Sequence, residues 1–100
     1  PNELTKQEAS YVYATEADML NMALFGKTAT TWRQQNPDLE GNIRDYATIE
    51  QLVVLTNLES LNAVLIAQEL PQSDRLLQLN KTAIQQLKGL TNNRTLKNLK

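Results

Sequence analysis

The chain contains no cysteine and no histidine among its 100 residues. Without Cys there can be no disulfide, thiolate metal site or cysteine nucleophile, and a reducing compartment is permitted. Without His the chain lacks the commonest general base near neutral pH and the commonest metal ligand. Serine occurs only at Ser10, Ser60 and Ser73, and three scattered glycines cannot form a phosphate-cradling loop. The expectation is a protein that is not an enzyme and takes no cofactor, metal or small molecule. No apolar run approaches the length of a membrane span and no basic-plus-apolar leader opens the chain. A cytoplasmic protein with no membrane partner is therefore expected. The start at Pro1, without an initiator Met, fits an excised fragment better than a whole gene product.

At this length the chain is read as one domain with a modest core. Its formal net charge of −1 conceals an asymmetry: residues 1–74 carry all 11 acids and four bases, whereas residues 75–100 carry six bases and no acid. A basic end could meet phosphate. Bases near the C-terminal end of a helix also complement its dipole, and this second account takes precedence because six dispersed bases make a thin phosphate footprint.

Capping residues and breakers divide the chain into helices. Thr5 with Glu8 forms a capping-box pair, and Leu4 is placed to staple onto Ala9. Thr15 and Asp18 mark a second start, and Gly26 is a natural left-handed stop. Thr28 opens a brief helix through Trp32 and Arg33, ended by Asn36-Pro37. Residues 36–45 read as the one real loop. Thr48 with Gln51 begins a long helix to Glu69, Pro71 breaks it, and a last helix is predicted over 73–88 with Gly89 as its stop. Nothing alternates with period two. The fold class is all-α, a compact bundle of four to five helices around a central long helix. It divides into a helical domain over 1–90 and a basic, flexible tail over 91–100.

On a helical wheel the 48–69 helix has two apolar arcs. Ile49, Leu52, Val53, Val64 and Ala67 form one; Val54, Leu58, Leu61 and Leu65 form the other. A surface helix needs one apolar stripe, so this helix is expected to lie between layers. Either other helices of the chain cover both arcs, or Val54, Leu58, Leu61 and Leu65 meet a partner. The last helix is simply amphipathic, with Leu76, Leu79, Ala83, Ile84 and Leu87 inward. Asn80 falls inside that stripe and is assigned a register-fixing role through hydrogen bonds.

Two short helices across Gly26-Lys27 have the outline of a helix-turn-helix, with Thr28, Thr30, Thr31 and Arg33 presented outward. Polar Asn21 and Lys27 sit where such motifs want apolar packing, and Trp32 reads as a core anchor. The nucleic-acid candidates are Lys27, Thr30, Arg33, Arg75, Lys81 and Lys88; direct binding requires them on one surface. The loop from Asp38 resembles a calcium loop only superficially, since Ile49 stands where the bidentate Glu is needed. Glu16 and Asp18, the nearest thing to a paired-acid site, are explained by their place in a first helical turn. Asp38 and Asn42 read as turn formers, Arg44 as half of a local ion pair, and Tyr46 as packing at the start of the long helix.

Three blocks carry a likeness to known proteins: ALFGKTATTWR over 23–33, NPDLEGNIRDYA over 36–47 and LPQSDRLLQLN over 70–80. With them the stretch over 11–90 resembles the C-terminal region of bacterial KilA-N-type proteins. That resemblance implies a parent protein with its DNA-binding module upstream of such a segment. The expected function is then protein contact, by dimerisation or by docking to the DNA-binding module, with DNA reached through the parent protein. The alternative is direct DNA binding through the segment around 15–35 plus the basic C-terminal helix.

Overall fold

The computed structural model describes residues 2–98, with side chains through residue 91. Among them the chain is all-helical, as the punctuation predicts. The helices are α1 (Lys6–Ala9), α2 (Glu16–Phe25), α3 (Ala29–Gln35), α4 (Ile49–Ala67) and α5 (Gln72–Asn98). Each of the first four begins at the expected Thr. Thr5 and Thr48 sit in complete capping boxes with Glu8 and Gln51, and Thr15 and Thr28 accept from the backbone N–H three residues on. Gly26 closes α2 at φ 74°, the left-handed region that glycine enters without steric cost.

The end of α4 is less conventional. Leu70 N donates to Leu65 O at 3.2 Å and Glu69 N to Ile66 O at 2.8 Å, the paired bonds of a Schellman stop. The left-handed residue in that stop is Glu69, at φ 62°, where glycine is the usual occupant. Pro71 follows and leads into α5, at whose start an N–H would have no intrahelical acceptor, so the missing N–H of proline costs nothing there.

Two boundaries differ from expectation. The 36–45 loop contains a 3-10 turn over Ile43–Tyr46, held because Asn42 and Asp45 cap one another reciprocally. Tyr46 stacks on Trp32, ring centroids 5.3 Å apart, and donates its hydroxyl to Glu40 O at 2.8 Å. And α5 does not stop at Gly89. A lone Gly inside a helix costs about 1 kcal/mol against Ala and does not by itself end it; the helical backbone continues to Asn98. Helix therefore crosses the boundary drawn at residue 91, while the flexible basic tail expected over 91–100 concerns side chains beyond 91 and lies outside the described residues.

α5 is the long helix against which the others pack: α1, α2 and α4 all lie on it, and α2 also touches α4. Met19, Ala23 and Leu24 of α2, Val54, Leu55 and Leu58 of α4, and Leu76, Leu79 and Ala83 of α5 meet in one core. Asn80 sits within it and fixes register as expected. Its amide donates to Ala23 O at 3.0 Å and Asn2 O at 3.2 Å, and its carbonyl accepts from Leu4 N at 2.8 Å. One side chain thus fastens α2 and the N-terminal strap to α5.

Candidate functional site

The two apolar arcs of α4 are separated by the fold, in the opposite sense to the interface prediction. Val54, Leu58 and Leu65 are buried and Leu61 is half-buried against the same cluster, so the proposed partner strip is the helix's own core face. The reason is Leu55, which falls just beyond the polar Asn62 on the wheel and widens that side into the face that α5 and α2 cover. The other arc is left outside. Ile49 is 75% exposed, Leu52 40%, Val53 45% and Val64 52%. Between these aliphatics lie Thr56, Ser60, Ala63 and Ala67, all small and all exposed. Thr56 turns its hydroxyl back to Leu52 O at 3.1 Å, leaving its methyl group to the surface. α4 is therefore covered on one side only, and the expectation of a helix between two layers fails.

The basic candidates do not form a set. Arg75 is buried, where it forms an ion pair with Glu16 of α2, donates to Asn62 Oδ1 at 2.9 Å and to Leu70 O at 3.0 Å. It is a structural residue and cannot present itself to phosphate. The Arg75 guanidinium holds the Glu16 carboxyl below its usual range, against partial desolvation that pushes the other way; donors on Asn62 and Gln72 add to the lowering. Gln72 also spans to Tyr13, accepting from its N–H at 2.9 Å and donating to its carbonyl at 3.2 Å. A polar junction thus ties the start of α2, the end of α4 and the start of α5. Sequence reasoning missed it, although Asn62 on the apolar side of α4 was the available signal.

Arg33 is also engaged. Its guanidinium donates to the carbonyls of Asn36, Leu39 and Gly41, and it lies 4.9 Å from the ring centroid of Trp32. It straps the loop to α3 and has little capacity left for a ligand. Lys27 reaches Gln35 Oε1 at 2.8 Å. Thr30, Lys81 and Lys88 are exposed. The helix-turn-helix outline survives in α2, Gly26 and α3, but Thr28 is occupied as the cap of α3, accepting from Thr31 N at 3.2 Å. Trp32 is buried, as its core-anchor reading requires. Asn21 is buried too, and its Oδ1 has no hydrogen-bond partner. A hollow of about 340 Å³ lies over Trp32, Arg33 and Gly41, yet the guanidinium beside it is already bonded to loop carbonyls.

Among the described residues no three acids gather as a metal site. α4 is long and apolar enough, by length and composition, to cross a membrane. Its Val54, Leu55, Leu58 and Leu65 are part of the core and its Asn62 is bonded to Glu16 and Arg75; those roles account for the apolarity of its inward side, while 28% of the span as a whole is buried. The outward face of α4 is a surface without an internal explanation among the described residues. Comparison with protein-family models, with curated proteins and with solved structures found no match to this chain.

Proposed function

We propose that this chain is a non-enzymatic protein-interaction domain, the helical accessory part of a KilA-N-like DNA-binding protein in the cytoplasm, and that it makes its contact through the outward face of α4. The observation that carries the reading is the exposure of Ile49, Leu52, Val53 and Val64 on one side of a single 19-residue helix. Together they present on the order of several hundred Å² of apolar surface, the size at which patches on monomers are often functional. Isolated exposed aliphatics need no explanation; four in register along one helix do. Direct DNA binding is the weaker alternative, because Arg75 and Arg33 are committed to internal partners.

Sedimentation of the chain alone, with duplex DNA, and with the rest of the parent protein supplied in trans tests this reading. A complex, either with itself or with the remainder of the parent, is expected. The paired change Val53→Asp and Val64→Asp should abolish it while helicity is retained. Absence of any complex, or one indifferent to those changes, refutes the role of this face. DNA that sediments with the chain would favour the alternative.

A further inference from the structure

The exposed face of α4 is complementary in shape to itself. Ile49, Val53, Thr56, Ser60, Ala63 and Ala67 alternate steps of four and three residues, the heptad seam along which a second helix packs. The seam runs from large to small, with two bulky residues at its start and small ones after them. Laid antiparallel against a copy, about a two-fold axis level with Leu58, it sets each bulky residue opposite a small one. Ile49 meets Ala67 of the copy, Val53 meets Ala63, and Thr56 meets Ser60 at the centre. Because the Thr56 hydroxyl is bonded back to Leu52 O, its methyl group faces the seam and the helix axes can close to about 8 Å.

Resting on the reading of this face as an interaction surface, we infer that its occupant is a second copy of this chain, with the two α4 helices packed antiparallel. The residues beside the seam agree. Each flank of such a pair faces the same flank of the copy, so Leu52 comes within roughly 3 Å, along the axis, of the level of Ile66 at both ends of the interface. On the other flank Val64 comes level with Val53 of the copy. All five large aliphatics that α4 exposes thereby gain an apolar neighbour. Parallel pairing has no such match: it crowds Ile49 on Ile49 at one end and leaves Ala67 facing Ala67 at the other. The face buries on the order of 1,000 Å² over both copies, the lower limit for a specific interface, so the dimer is weak and reversible. One contact opposes it, since the Glu59 carboxylates approach each other beside the axis. They lie at the exposed rim, where water screens them and the contact weakens the dimer without preventing it.

Sedimentation equilibrium of the chain from about 10 μM to about 1 mM should show a monomer passing into a dimer. Val53→Asp, shown to remain helical by circular dichroism, should weaken that dimer by about tenfold or more, because each copy buries one such carboxylate. The register is read by cross-linking, since the chain has no Cys of its own. Ile49→Cys and Ala67→Cys proteins should each fail to form a disulfide dimer when oxidised alone, because like positions lie about 27 Å apart along the axis. Mixed in equal amounts they should cross-link, and adding Val53→Asp to both should suppress the product. A dimer indifferent to Val53→Asp, or one in which the Ile49→Cys protein cross-links to itself as readily as in the mixture, overturns the inference. A chain still monomeric at the highest concentration overturns it too. If that monomer forms a complex with the rest of the parent that Val53→Asp abolishes, the second copy is wrong and the interaction face stands. If it forms no complex at all, the face itself is removed.

Discussion

Replacing Glu16 with Gln should destabilise the chain at neutral pH and have little effect in acid. Arg75 is 8% exposed and Glu16 is its only ionic partner in the polar junction. Stranding a fully buried charge costs about 3–5 kcal/mol. Two facts reduce that figure here. The Glu16 side chain is 44% exposed, so solvent screens the pair, and Arg75 retains Asn62 Oδ1 and Leu70 O as acceptors. A loss of about 1–2 kcal/mol follows, or roughly 5–10 °C in melting temperature for a domain of this size. Because Arg75 lowers the folded-state pKa of Glu16 below 4.5, the junction's contribution is present above the unfolded value and is lost as pH falls through the folded one. Thermal unfolding followed by circular dichroism from neutral pH to about pH 2 should show the wild-type and Gln curves converging in acid. Glu8, also lowered because its carboxylate accepts from the Thr5 backbone, titrates in the same window, so Glu8→Gln in both backgrounds separates the two effects. A Gln variant as stable as wild type at neutral pH, or a gap that persists undiminished into acid, would refute the account of Arg75 as a buried partner of Glu16.

Local chemistry was more legible in the sequence than packing direction was. Thr5, Thr15, Thr28 and Thr48 each act within a few residues of chain, so their role as caps is written in neighbours alone. Gly89 shows where local reading misleads: the residue that ends α2 at Gly26 is tolerated inside α5, because ending a helix needs a left-handed turn and not merely a glycine. The orientation of α4 was not legible from its two arcs. Both are apolar, and a wheel gives their angular separation without saying which side a neighbour occupies. What decides it lies in other helices: Glu16 on α2 and Arg75 on α5 draw Asn62 inward, and with it Leu55, Leu58 and Leu65. Arg75 read as a surface base for the same reason, since its partner is 59 residues away.

Three further perturbations probe the structure. Glu69→Gly should stabilise the chain by about 1 kcal/mol, seen as a higher melting temperature, because φ 62° in the Schellman stop is strained for Glu and free for Gly. Trp32→Ala should cost about 3–5 kcal/mol by removing the buried ring that Arg33 and Tyr46 enclose; an indole readily quenched in the folded wild type would contradict this. The third compares Leu58→Asp with Val53→Asp, the same chemical change on opposite sides of one helix. Leu58 is wholly buried between α4 and its neighbours, so a carboxylate there has neither water nor a positive partner and should unfold the chain. Val53 is 45% exposed, so its carboxylate stays hydrated and the loss of helicity should be small. Circular dichroism separates the two directly: a helical Leu58→Asp protein would mean that α4 turns its Val54–Leu58 side outward, whereas an unfolded Val53→Asp protein would mean that the Ile49–Val64 face is already covered within the chain.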